Sequence, residues 1–404
     1  MNSVIAAETV KPPAEIEPVR AELVANELVN VAPVRATVVD ERKWPRRVLS
    51  GVRSVAEWFF GCTALILGLA ILATIPGLQL LSLGYLLEVS GRIARTGRLR
   101  DGFVGVRKAA RVGGFALGVW LFLWPLRALS SLLTDARIID PTSSVSRNLA
   151  LALVGGTLLV TCHVASVAWR GGRLRSFLWP TPIRFLRNLF SRQAYVQARD
   201  DLARFVISLR LPYYFWLGLR GFVGGWLWLL VPITMLAASQ QAPLLGFLGG
   251  VLLTFMILYV LLAQTHFAAE NRFGAMFEWR AQRRMFARAP VAFLISLVAA
   301  LVFATPLYLF KIEITPREAA WLPSLFFIVF AWPARMLAGW AYARGKRRER
   351  PRFFLIRWGA RALMLPVAAL FAFITFMTQF TSWYGVWSLY EQHAFLVPAP
   401  FLGF

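Results

Sequence analysis

Apolar residues fall along this chain in long runs, separated by short linkers that hold most of the charge. A helix needs about 20 apolar residues to cross the roughly 30 Å hydrocarbon layer of a bilayer. Such runs occur at 58–75, 77–92, 112–133, 149–169, 213–237, 243–267, 290–310, 321–343 and 362–388, the second of them short. The linkers leave no room for an extramembrane domain. The pattern therefore predicts an all-α polytopic transmembrane helix bundle over 58–404, preceded by a basic juxtamembrane segment at 41–57. Residues 1–40 mix Val, Ala, Pro and Glu without a sustained period or a signal-peptide core, and read as a flexible, uncleaved tail. Trp58, Tyr213, Tyr214, Trp321, Trp340 and Trp387 lie near run ends, where amphipathic rings sit at headgroup level.

The linkers differ sharply in basic residues. Segments 41–57, 91–111, 170–211, 268–289 and 344–361 hold five, seven, nine, five and eight Lys and Arg, whereas 134–148 and 311–320 hold two each, balanced by acids, and 239–242 holds none. Basic linkers stay cytoplasmic. From residue 91 onward rich and poor linkers alternate, which predicts seven crossings, with the amino terminus inside and the carboxyl terminus outside. Segments 41–57 and 91–111 are both rich, so the stretch between them must enter and return. As one helix, residues 58–90 would be about 50 Å long, more than a bilayer needs. Pro76 and Gly77 stand at its middle, where a missing donor and a permissive backbone favour a turn. The expectation is an N-terminal helical hairpin turning at Pro76 and Gly77, giving eight to nine membrane segments. The competing reading is one overlong crossing with five bases on the wrong face.

Composition agrees with a lipid solvent: of 404 residues, 58% are hydrophobic and 16% charged, where a soluble domain carries about a quarter charged. The net charge of +24 suits anionic lipid headgroups better than nucleic acid, because the basic residues flank membrane runs and the aromatics beside them are needed there. In the cytoplasmic segment 182–210, Leu186, Phe190, Ala194, Ala198, Leu202, Phe205 and Leu209 draw an apolar stripe, with Arg184, Arg192, Arg199, Arg204 and Arg210 projecting away. Such a helix would lie in the headgroup layer, its arginines on lipid phosphates, or pack on the bundle with solvated arginines. Residues 270–288 resemble a shorter version, with Phe273, Phe277, Ala281 and Met285 on one side.

Ionisable residues inside membrane runs are costly and so are candidate functional groups. Glu88, His163, Arg220, His266 and Arg335 all fall toward the cytoplasmic helix ends, and could line a cavity for an anionic headgroup or metabolite. Snorkelling and local hydrogen bonding are the plainer alternative. Pro125, Pro232, Pro306, Pro333 and Pro366 suggest the broken helices used by transporters. Gly114/Gly118, Gly221/Gly225 and Gly246/Gly250 have the spacing of close helix crossings, within the bundle or between copies in a homo-oligomer. No nucleotide-binding glycine loop, zinc-protease helix or serine elbow occurs, and the three histidines lie far apart, so no cofactor, metal or catalytic residue is assigned.

The stretches LSLGYLLEVSGRIARTGRLRDG, ending at Gly102, and HFAAENRFGAMFEWRAQRRMF, ending at Phe286, resemble those of uncharacterised bacterial multi-pass membrane families. That resemblance covers a small part of the chain and implies no activity. The expected location is a cell membrane of the bacterial inner-membrane type. The expected role is transport or handling of a lipid or small anionic solute, the alternative being an anchor or assembly factor that recruits partners through its basic helices.

Overall fold

The computed structural model describes residues 44–178, 192–309, 321–382, 384–392 and 395–396. The predicted tail 1–40, the 311–320 linker, Arg184 and the first part of the 182–210 segment lie outside the described residues. The chain divides into two units, Met1–Ser54 and Val55–Phe404. Of the described residues, only the start of the first helix belongs to the first unit, and all others belong to the second.

All regular structure among the described residues is helical: α1 (Trp44–Thr74), α2 (Gln79–Thr96), α3 (Val106–Ile139), α4 (Ser144–Trp169), α5 (Arg192–Ser208), α6 (Leu211–Ala237), α7 (Pro243–Glu270), α8 (Trp279–Arg288), α9 (Pro290–Leu309), α10 (Trp321–Arg347) and α11 (Phe354–Thr381). Among these residues eight helices are long and apolar enough to cross a membrane, carried by α1, α3, α4, α6, α7, α9, α10 and α11. The protein is an all-α, multi-pass integral membrane protein. Its outer surface is apolar, with Trp124, Leu159 and Phe247 each more than 60% exposed, as a lipid solvent permits. The five prolines at 125, 232, 306, 333 and 366 lie inside continuous helices, so the broken helices they suggested do not form.

The chain reverses at residues 75–78, where Gly77 takes φ +81°, a conformation costing side-chain-bearing residues about 1 kcal/mol. Ser82 Oγ donates to the Leu69 carbonyl across this turn (2.8 Å). Gly61 then packs on Val106 and Ala110, and Ala64 on Gly113, so α1 and α3 run in the same direction with α2 reversed between them.

The two arms of this hairpin have opposite fates. Helix α1 is largely exposed, whereas Leu81–Gly91 of α2 is buried without a break. The short, less apolar arm is thus the most enclosed helix, packed against α6, α7 and α10. Small residues permit this. A methyl at Gly84 would fall on the Tyr214 carbonyl oxygen, one at Gly218 on that of Leu80, one at Gly91 on that of Ala268, and one at Gly339 on that of Ser90. Close backbone approach is how helices associate where water supplies no driving force. The three predicted glycine pairs also meet neighbours of the same chain: Gly114 and Gly118 face Leu174 and Phe177, Gly221 and Gly225 face Leu87 and Leu396, Gly246 and Gly250 face Ser239 and Leu236.

Around α2 and α7, helices α6, α9, α10 and α11 complete a core. Helices α3 and α4 pair with each other and, with α1, form an outer layer against it. Four of the basic linkers, 91–111, 170–211, 268–289 and 344–361, meet at one end, where their cations close helix C-termini. Arg95 donates to the Ala268 carbonyl at the end of α7 (2.8 Å), Arg347 to Thr96 at the end of α2 (3.4 Å), and Arg348 to Arg288 at the end of α8 (3.4 Å). Lys108 donates to Ser208 at the end of α5. Cations are favourable there because the last carbonyls lack intrahelical partners and carry the negative end of the dipole.

Three predicted segments differ from expectation. In α5, Phe205 is half-buried with Arg111 4.3 Å above its ring, yet Leu202 of the same stripe stays 61% exposed, so the stripe is only partly seated. Residues 270–288 do not form one helix: Asn271 turns left-handed (φ 52°), a short 3₁₀ segment follows, and α8 begins at Trp279. The break shifts the phase, so Met276, Gln282 and Phe286 are buried while Phe277 is exposed. The last apolar run, predicted to 388, ends as a helix at Thr381. Residues beyond it turn inward, and Leu389, Gln392, Phe395 and Leu396 are buried in the core.

Candidate binding cleft

A cleft of about 530 Å³ opens at the seam between the core and the outer layer, bounded by α1, α2, α3 and the 208–214 segment. Helical spacing selects its lining. Leu81, Tyr85, Glu88 and Arg92 fall on one face of α2 at i, i+4, i+7 and i+11, and all four face the cleft. Leu65, Leu69 and Leu72 of α1 meet the apolar end, and Lys108 of α3 meets the charged end. Arg210 sits just before α6 in a left-handed conformation (φ 53°), with Pro212 in the first turn after it. Left-handed backbone is unfavourable for a non-glycine residue and persists only where surroundings over-determine it. It is followed directly by the first turn of α6, whose Tyr213 and Tyr214 share the cleft with Arg210.

Among the described residues Glu88 is the one acid lining the cleft, and it is already engaged. Its Oε1 accepts from Arg95 Nη2 at 2.9 Å and its Oε2 from the Tyr213 hydroxyl at 2.8 Å. Arg92 and Arg210 have no carboxylate partner among the described residues, and Lys108 gives a hydrogen bond to a carbonyl. The charged end is therefore net cationic, and the other end is aliphatic.

The five ionisable residues expected to line one cavity do not converge. Only Glu88 reaches the cleft. His163 lies in the α3–α4 pair, stacked on Phe122 (4.6 Å between ring centres) and within 3.2 Å of the Phe177 carbonyl. Arg220 donates to Asn271 Oδ1 (2.9 Å) beside the Phe267 ring. Arg335 is buried in the core. The three sit in different places, His163 and Arg220 bonded to nearby linker residues and Arg335 enclosed in the core, because linear distance to a helix end says nothing of which face a residue occupies. Sequence reasoning missed Arg92 and Lys108, counting them only as topology signals, and expected Arg210 among the headgroup-layer arginines of the 182–210 helix rather than in a cleft. The i, i+4, i+7, i+11 stripe on α2 was the available clue.

His266, 4% exposed, links two elements. One ring nitrogen lies 2.8 Å from the Tyr342 hydroxyl and the other 3.1 Å from Glu278 Oε2, whose second oxygen accepts from Arg272 at 2.6 Å. A neutral ring protonated on Nε2 donates to Glu278 and accepts from Tyr342, satisfying all three groups. The hydrogen bonds from His266 and then Arg272 hold the Glu278 carboxyl below the usual carboxylate range. Tyr–His–Glu connectivity can activate a nucleophile, but Tyr342 is 1% exposed, so the network pins the 271–278 linker to the bundle. Of the arginines expected on lipid, Arg199 pairs with Asp200 (2.9 Å) and Arg204 with Asp201 (2.6 Å). Nothing is described of the Arg192 side chain. Among the described residues no group of three His, Cys, Asp or Glu could hold a metal ion. No protein-family model, no curated protein and no solved structure matches this chain.

Proposed function

We propose that this membrane protein binds an anionic amphiphile, a lipid with an acidic headgroup, in the α1–α2–α3 cleft. The observation that carries the reading is the gradient along one face of α2. Leu81 and Arg92 stand about 16 Å apart along the helix, with Arg92, Lys108 and Arg210 at one end and the α1 leucines at the other. A phosphate-bearing headgroup suits the cationic end, where the two tyrosines add polar contacts, and an acyl chain suits the aliphatic end. A seam between core and outer layer offers lateral entry from lipid. On the positive-inside rule the basic end lies in the cytoplasm, which orients the cleft toward the inner leaflet of a cell membrane. Such a site serves handling or transport of the lipid. The anchor reading is weaker, because Arg199 and Arg204 are neutralised by neighbouring acids and several linker cations already close helix ends.

Native mass spectrometry of the detergent-purified protein tests this. The wild type should retain acidic phospholipid, the Arg92→Gln/Lys108→Gln variant should lose it, and Arg199→Gln/Arg204→Gln should keep it. Equal retention by all three would remove the cleft as the binding site.

A further inference from the structure

Arg335 lies in the middle of α10 and is 3% exposed. A guanidinium does not give up its proton at neutral pH, and burying a charge without a partner is strongly unfavourable. No described carboxylate pairs with it. Its Nη2 donates to the Phe395 carbonyl (3.3 Å), and Nη1 has no hydrogen-bond partner. The same carbonyl accepts from Gln264 Nε2 at 2.8 Å. Two N–H donors, one of them cationic, thus converge on one oxygen contributed by the chain's own C-terminal segment. That oxygen is neutral, so the charge stays uncompensated. Beside Arg335 is a space of about 10 Å³ walled by Leu261, Ala304 and Phe327, enough for one water at most. An anion could enter only by displacing the Phe395 carbonyl. The displaced segment is closely seated: a methyl at Gly225 would meet Leu396 at 2.9 Å, yet Gln392 Oε1 and Gln264 Oε1 are buried without partners.

We propose that Arg335 and Gln264 form a buried binding site for a small carboxylate, which the Phe395 carbonyl oxygen fills in this structure. One carboxylate oxygen takes the position of that carbonyl, accepting from Arg335 Nη2 and Gln264 Nε2. The other accepts from Nη1, completing the bidentate geometry in which guanidinium binds carboxylate best. The carboxylate and the C-terminal segment therefore compete for one site. This site shares no residue with the lipid cleft and stands or falls independently of it.

The test is thermal unfolding of the detergent-purified full chain titrated with sodium acetate, ionic strength being held constant with sodium chloride. The apparent Tm should rise with the logarithm of acetate concentration above saturation, stay flat in Arg335→Gln and be partly preserved in Arg335→Lys. Phe395→Ala, which loosens the competing segment, should lower the half-saturating acetate concentration by about fivefold. If Arg335→Gln does not fold, Gln264→Ala takes its place and should weaken the response. A flat wild-type titration, or one equal in the wild type and the folded variant, overturns the proposal.

Discussion

A methyl group at Gly84 has nowhere to go but onto the Tyr214 carbonyl oxygen. The obstacle is backbone, so the helices themselves must separate, and overpacking of this kind costs about 1–3 kcal/mol. Gly84→Ala should therefore lower the apparent Tm measurably, while Gly155→Ala, with nothing within 4 Å of the added carbon, should not. Equal behaviour of the two would mean that the α2–α6 approach is not tight. At Glu278 the expectation is a pH effect with a definite sign. Its carboxyl is held low by bonds from His266 and Arg272, so the unfolded chain binds the proton more readily. The stabilisation is complete above the unfolded value near 4.3 and fades as pH falls through the lower folded value. The acid-side fall of Tm below about pH 4 should be shallower in Glu278→Gln than in the wild type. At this scale the sequence revealed which residues were unusual, because ionisable groups stand out in apolar runs, but not their partners. Glu88 is matched by Tyr213, 125 positions away, and His266 by Tyr342, 76 positions away. No periodicity encodes such pairings.

Helices were more legible than residues, and for a physical reason: a membrane span must satisfy its own backbone, which leaves a long apolar run as its signature. The reversal at Pro76 and Gly77 emerged from charge rather than hydropathy, since two basic linkers flank one apolar stretch. What hydropathy misranked was α2. Its serines, glycines and Glu88 lower its apolar content, which made it the weakest candidate span. Those same small and polar residues let neighbouring backbones close around it, so it occupies the centre. The end of α11 was illegible for the opposite reason. Residues 382–388 were expected to continue the last crossing, but Gly385 takes φ +52° and the chain turns into the core. The hairpin turn itself is open to test: the Cβ at Gly77 meets nothing within 4 Å, so Gly77→Ala should cost only the left-handed strain, about 1 kcal/mol. A much larger loss would show that the turn is packed more tightly than this geometry allows.

Across the whole molecule, charge is unevenly spent. Cations gather at one end, where they close helix termini and border the cleft, while the lipid-facing sides carry almost none. Topology and the proposed binding thus draw on the same residues, and only the fold separates them: Arg95 and Arg347 cap helices, whereas Arg92 and Arg210 line the cleft with no carboxylate partner among the described residues. The cleft exists because α1 enters and α2 returns, which brings Leu69 of one arm beside Ser82 of the other and leaves a seam against α3. The most direct measurement of that arrangement is a compartment reporter fused at residue 50, ahead of the first apolar run. Enter-and-return topology predicts a cytoplasmic signal, placing the amino terminus on the same side as the basic linkers. A periplasmic signal would mean one continuous crossing, and would contradict both the hairpin and the cytoplasmic cleft built upon it.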